Sequence, residues 1–212
     1  MSQQQNISDM DSPDNFWHDI YYKDKPSHID TGNLTKTITL DELKETIKNL
    51  PNGKATGPSK ISYEHLKHLP DSMIDQILIL FNNILVSNII PDTWYKATIF
   101  PIPKPKPFEG NLSNTRPITL LDCVRKTFVK IINNRLNNYI FTNNLLEPNN
   151  RAGVSGSSTM EIINRLELIL TDQKEHNKAL FIMIQDLSKA YDRVNVDLLE
   201  QALLRCYPVI IT

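Results

Sequence analysis

Cysteine is scarce in this chain. Cys123 and Cys206 are the only two in 212 residues, and they lie far apart with no Cys-x-x-Cys between them. That pattern gives neither a disulfide framework nor a thiolate zinc site, and it suits a reducing compartment. His65 and His68 sit three apart with no further ligand cluster nearby, so they read as surface helix residues. No apolar run approaches the roughly 18 residues of a membrane span. The N-terminus is polar and acidic, unlike a secretory signal. No basic targeting cluster stands out. These absences predict an intracellular protein, nuclear or cytoplasmic, without a membrane partner. Strong charge of one sign is also missing. The net charge is −1, so the chain as a whole carries no nucleic-acid signature. No Asp-Asp pair occurs anywhere.

What is present is enough for a core. Hydrophobic residues make up 40% and charged residues 22%, ordinary values for a globular domain of this length. The near-neutral balance hides a segregation. Residues 1–50 hold nine acidic and five basic side chains, a net of −4. Residues 96–140 hold eight basic side chains (Lys96, Lys104, Lys106, Arg116, Arg125, Lys126, Lys130, Arg135) against Glu109 and Asp122, a net of +6. A local basic region is a better sign of phosphate contact than overall pI, although a solvated helix face gives the same count.

Residues 1–36 are polar, with one apolar cluster from Phe16 to Tyr22, and read as a disordered lead-in. Order is expected from Thr39, where Thr39-x-x-Glu42 has the form of a capping box ahead of Leu40, Leu43, Ile47 and Leu50. Pro51-Asn52-Gly53 ends that helix. A short helix is predicted over 62–69. After Pro70 comes a broad apolar helical face, Met73 to Leu85, expected to be deeply buried. Ala97 to Ile102 reads as a strand ended by Pro103. A loop over 103–114 leads to a short extended piece at Arg116. A long helix then carries the stripe Leu120, Leu121, Val124, Phe128, Ile131, Ile132, Leu136 and Ile140. Another helix spans about 159–173. Phe181 to Ile184 reads as a buried strand running through Gln185 into Asp186. Asn195 caps the last helix.

Chemistry concentrates in two places. Asp186 follows an apolar run, where a strand would fix a carboxylate beside an open loop; Tyr191 and Asp192 come soon after. Upstream stand Pro101-Ile102-Pro103-Lys104 and Arg116-Pro117-Ile118-Thr119-Leu120, which bring Lys104 and Arg116 close together in the chain. A polyanion such as a triphosphate needs fixed cations, and the arginine fork suits bidentate phosphate contact. Lys106 is a weaker third candidate.

The segment Asp186-Leu-Ser-Lys189-Ala-Tyr191-Asp192 resembles the first catalytic-aspartate motif of reverse transcriptases, closest to the non-LTR retrotransposon and group II intron version. P-I-P-K followed by R-P-I-T-L resembles the fingers hairpin of the same family. Gly53-Lys-Ala-Thr-Gly57-Pro-Ser59 resembles the family's G-K-[AS]-x-G-x-D, with Ser59 where Asp is usual. Arg151 to Thr159 resembles the loop [QN]-x-G-F-x-x-G-x-S-T. It departs from that pattern at Arg151, at Val154 and by one missing residue, and Ser158 and Thr159 read as helix caps. The resemblance covers about residues 40–210. It implies a helix-rich α+β fold over 37–212, the fingers and partial palm of a right-hand polymerase. It further implies Asp186 as catalytic metal ligand, with Mg2+ or Mn2+, and Lys104, Arg116 and Tyr191 as nucleotide-binding residues. Tyr191 would pack under the incoming sugar. The implied partners are an RNA template, a DNA primer and dNTP.

The same resemblance implies an F/Y-x-D-D motif, which this sequence does not contain. A fragment of an RNA-directed DNA polymerase, inactive alone, is therefore expected. A non-catalytic nucleic-acid-binding or interaction module derived from such a domain is the alternative.

Overall fold

The computed structural model describes residues 34–105, 107, 109–143, 156–187 and 190–206. Lys106, Arg151, Val154, Lys189, the Phe16–Tyr22 cluster and the 207–212 tail lie outside the described residues. The described residues form two units, 34–138 and 139–206. The first unit holds helices α1 (Leu40–Lys48), α2 (Tyr63–Lys67) and α3 (Asp71–Ser87), strands β1 (Thr98–Pro103) and β2 (Thr115–Leu120), and most of helix α4 (Cys123–Thr142). The second holds α5 (Thr159–Glu175) and α6 (Val196–Cys206). The described residues are thus helix-rich with one small two-stranded antiparallel sheet. No described helix is long and apolar enough to cross a membrane.

Packed structure begins before Thr39. Leu34 and Ile38 are buried, and Asn82 of α3 clamps the Ile38 peptide, accepting from its N–H at 2.7 Å and donating to its carbonyl at 3.1 Å. Thr39 caps α1, its hydroxyl accepting from Glu42 N–H. The expected capping box is only half formed, since the Glu42 side chain does not return to the Thr39 N–H. The Glu42 carboxylate takes the Arg135 fork at 2.7 and 2.5 Å, and the same guanidinium donates to the carbonyls of Leu34, Lys36 and Thr37. A residue 93 positions away thus fixes the chain's entry into the core.

The expected stripes are partly right. On α3, Ile74, Phe81 and Ile84 are buried, while Met73, Ile79 and Val86 are exposed, so the buried face is narrower than the apolar pattern predicts. On α4 the deepest positions are Cys123, Thr127 and Ile131, each four residues apart. Cys123 and Thr127 fall outside the predicted stripe. Thr127 enters the core because its hydroxyl donates to the Cys123 carbonyl at 2.8 Å. Phe81, Trp94 and Phe128 form an aromatic cluster with ring centroids 5.2 to 6.3 Å apart. Trp94 belongs to a 3-10 turn, Asp92–Tyr95, and burial holds it in this cluster.

β1 pairs with β2 so that Ile102 faces Arg116, Pro101 faces Pro117 and Pro103 faces Thr115. Just beyond, Lys104 N–H donates to the Asn114 carbonyl at 2.8 Å. Hydrogen-bonded pairs alternate along an antiparallel ladder, so Pro101, Pro103 and Pro117 all occupy positions whose N–H would point outward. Their missing donors cost the ladder nothing. They also deny a third strand its bonds on both outer edges. Pro103 ends the strand as expected, as the last residue of β1.

The predicted Phe181 strand is not formed. Residues 178–187 have no regular structure, and Phe181 and Ile184 are 93% and 90% exposed. A strand needs a neighbour for its backbone N–H and carbonyl groups, and among the described residues no segment pairs with this one. α5 buries none of its residues, and Ser158 sits at its N-cap position without a side-chain cap bond. Asn195 does cap α6, accepting from Asp197 and Leu198 N–H at 2.9 and 3.1 Å.

Candidate functional site

Alternation along the hairpin puts Arg116 on one face with Phe100, Ile102 and Ile118. All four are exposed. The Arg116 guanidinium has no hydrogen-bond or ion-pair partner among the described residues. A guanidinium fork of this kind suits bidentate contact with an anion. Lys104 follows β1, and its ammonium donates to the Ser113 carbonyl at 2.8 Å, leaving two of its three donors. The turn between the strands is stitched internally. Asn111 Oδ1 accepts from Ser113 N–H, Asn114 donates to the Pro107 carbonyl, and the Thr115 hydroxyl donates to the Leu112 carbonyl. Lys104 and Arg116 therefore share one braced hairpin.

The net charge of +6 over 96–140 does not make a uniform basic surface. Arg125 donates to the Trp94 carbonyl. Lys126 donates to the Ala55 carbonyl at 3.2 Å and lies 5.0 Å from the Tyr63 ring centroid. Arg135 holds Glu42. With Lys104, four of the eight cations counted there hold the protein's own groups, while Lys96, Arg116 and Lys130 remain exposed. Composition counts charges and cannot tell a structural cation from a free one.

The Gly53–Ser59 segment folds onto this region. Gly53 N–H donates to Glu64 Oε1 at 2.6 Å, and Lys67 Nζ donates to the Leu50 carbonyl and to Asn52 Oδ1, both at 2.6 Å. The Gly53 amide, then the Glu64 amide and the Ser62 hydroxyl, hold the Glu64 carboxyl down at about 2. A lowered carboxyl adds stability that is fully present above its unfolded value, near 4.5. That stability is lost as pH falls through about 2. In urea titrations, the stability advantage of wild type over Glu64→Gln should shrink across that acid window. An advantage independent of pH would show that the Gly53 bond does not set the carboxyl.

A Cβ on Gly57 would lie 2.4 Å from Asp122 N and Leu121 C, so only glycine fits there. Ser59 N–H donates to Asp122 Oδ1 at 2.8 Å. The sequence motif names Gly57 and the charge count includes Asp122, but neither pattern gives the contact between them, which joins the family glycine to an acid two residues past the R-P-I-T-L run.

Asp186 and Tyr191 belong to the second unit. Asp186 is exposed on an irregular segment, and Tyr191, 95% exposed, opens a 3-10 turn at Tyr191–Arg193. Magnesium takes about six oxygen ligands, typically including one or two carboxylates. Among the described residues no three His, Cys, Asp or Glu side chains converge. The described residues therefore do not form a complete metal centre, and Asp186 offers one carboxylate toward it.

Residues 102–207 match the model of the family described as "Reverse transcriptase (RNA-dependent DNA polymerase)". The "Probable RNA-directed DNA polymerase from transposon BS" of Drosophila melanogaster is 35% identical over 177 residues, 82% of this chain and 19% of that protein. The corresponding protein from transposon X-element of the same fly is 33% identical over 156 residues, 72% of this chain and 17% of that protein. The RNA-directed DNA polymerase from mobile element jockey, also of that fly, is 31% identical over 99 residues, 47% of this chain and 11% of that protein. The chain spans about a fifth of the length of the first two of these curated relatives. The family match covers half the chain and includes both the hairpin strand that carries Arg116 and the segment that carries Asp186. This chain belongs to the reverse transcriptase (RNA-dependent DNA polymerase) family, with relatives among non-LTR retrotransposons.

Proposed function

We propose that this chain is the fingers and first palm segment of an RNA-directed DNA polymerase from a retrotransposon-like element. In this reading it engages an RNA template, a DNA primer and an incoming dNTP. The observation that carries the proposal is the braced β1–β2 hairpin, which exposes an unpaired Arg116 two residues beyond the Asn114–Lys104 pair. Arg116 and Lys104 contact the nucleotide's phosphates, and Tyr191 packs under its sugar. Asp186 supplies one oxygen ligand for Mg2+ or Mn2+, and further carboxylates must complete that set. The 212 residues alone, lacking F/Y-x-D-D, do not polymerise DNA. Residues 1–36 act as a lead-in to a partial polymerase domain over 37–212.

The test is dNTP incorporation on poly(rA)/oligo(dT) with magnesium or manganese. It compares the 212-residue chain with the longest reading frame that contains it. The longer protein should be active and the chain alone silent. In the active form, Arg116→Ala should raise the dNTP KM about tenfold, the loss of roughly one charge-assisted hydrogen bond. Arg116→Lys should recover only part of this, since a point charge lacks the fork. An unchanged KM in Arg116→Ala would remove the hairpin from nucleotide binding.

A further inference from the structure

The start of α4 gathers two distant segments of the first unit through three side chains bound to their backbone, and a third through the chain itself. Asp122 accepts from Ser59 N–H at 2.8 Å. Arg125 donates to the carbonyl of Trp94, in the turn that leads into β1. Lys126 donates to the carbonyl of Ala55 at 3.2 Å. β2 joins the same point covalently, because Leu120 is followed by Leu121 and Asp122. The 55–59 loop, the approach to β1 and the end of β2 therefore all converge on one helical turn.

Asp122 is the informative member. It directly precedes α4 and its carbonyl accepts the first helical bond, from Lys126 N–H at 2.9 Å. An acid in that place ordinarily turns its side chain onto the first amides of its own helix. Here the carboxylate instead serves an amide 63 residues earlier, and the residue is 8% exposed. Gly57 lets the two backbones meet, since a Cβ there would overlap Leu121 and Asp122. The close approach at Gly57 and the hydrogen bond at Ser59 act on the same loop, two residues apart.

We propose that Asp122 is a positioning residue for nucleotide binding: through Ser59 N–H it locks the 55–59 loop against the β2–α4 junction and so fixes the stance of the hairpin that carries Lys104 and Arg116. The inference rests on the nucleotide-facing reading of that hairpin. Asp122 itself touches no substrate. It acts on the angle at which β2 runs into α4, which sets where the Arg116 fork points. A misplaced fork weakens binding of the phosphates more than it slows the chemical step.

Two measurements test this. In the 212-residue chain, amide exchange at Ser59 should accelerate about tenfold or more in Asp122→Ala, the loss of one charge-assisted bond. Asp122→Asn keeps an Oδ1 acceptor and should exchange nearly as slowly as wild type. In the active longer protein, Asp122→Ala should raise the dNTP KM about tenfold with kcat within about threefold, as expected for displaced positioning. Asp122→Asn should restore most of it. Gly57→Ala, which pushes the loop off the junction, should give the same KM-selective loss, and it carries the test if Asp122→Ala fails to fold. Wild-type KM in Asp122→Ala or Gly57→Ala, or equal loss in Asp122→Asn and Asp122→Ala, overturns the proposal. Arg116→Ala is the separating control. If it leaves KM unchanged while Ser59 exchange responds as expected, the clasp exists and the nucleotide reading is what fails.

Discussion

Replacing Asp186 by Ala in the longest reading frame that carries this chain is expected to lower template-directed incorporation about a thousandfold or more. The expectation rests on the sequence around the residue and on its placement. Asp186 lies within the family match and is exposed rather than tied into the fold. An exposed Asp with no structural task gives a near-neutral Ala variant, whereas one that holds a charge needed in the transition state gives a loss worth about 4 kcal/mol or more. The two outcomes are far apart, so a single-time-point assay separates them. Asp186→Asn, which keeps the shape and removes the charge, should fail equally. Asp192→Ala is the control, because the family resemblance implies no metal-ligand role for Asp192 and its loss should cost at most several-fold. Robust incorporation by Asp186→Ala would remove this residue from the chemistry.

Phe81→Ala is expected to destabilise the first unit by about 3–5 kcal/mol. Phe81 is 0% exposed, and it meets Phe128 at 5.2 Å and Trp94 at 6.3 Å between ring centroids, both edge-to-face. Truncation removes the transferred surface, leaves a cavity and strips one ring from a three-ring cluster. A domain's total stability is only about 5–15 kcal/mol, so this one change takes a large share of it. Urea unfolding followed by Trp94 fluorescence in a Trp17→Phe background reads it directly, since these are the only two tryptophans. Phe81→Leu refills most of the volume and should cost well under half as much. A loss below about 1 kcal/mol in Phe81→Ala would mean the site collapses freely and the cluster is not the core's centre.

Helix existence was legible where periodicity and punctuation agreed. Thr39, Ser62 and Asn195 cap as their residue types dictate, and α1, α3, α4 and α6 lie where apolar spacing places them. Burial within a helix was less legible. Thr127 is polar by composition yet 1% exposed, because a bond to the preceding turn satisfies its hydroxyl. Phe181 to Ile184 is as apolar as a core strand and stays exposed, because strand formation depends on a partner that a local run cannot supply. Pro103 ends β1 as its residue type predicts, but it still pairs with Thr115, because its ring falls at a position that needs no ladder donor, which only the register decides.

The sequence by itself determined the family, through motifs whose order and spacing survive without coordinates, and it determined which residues are chemically able to meet a triphosphate or hold a cation. The tertiary structure alone decided which charges are free to do so. Arg125, Lys126 and Arg135 are chemically equivalent to Arg116 in a count, yet each is fixed to a carbonyl or carboxylate that folding brings from 31 to 101 residues away. Pairing of that kind is set by three-dimensional proximity, and a one-dimensional pattern carries no record of it.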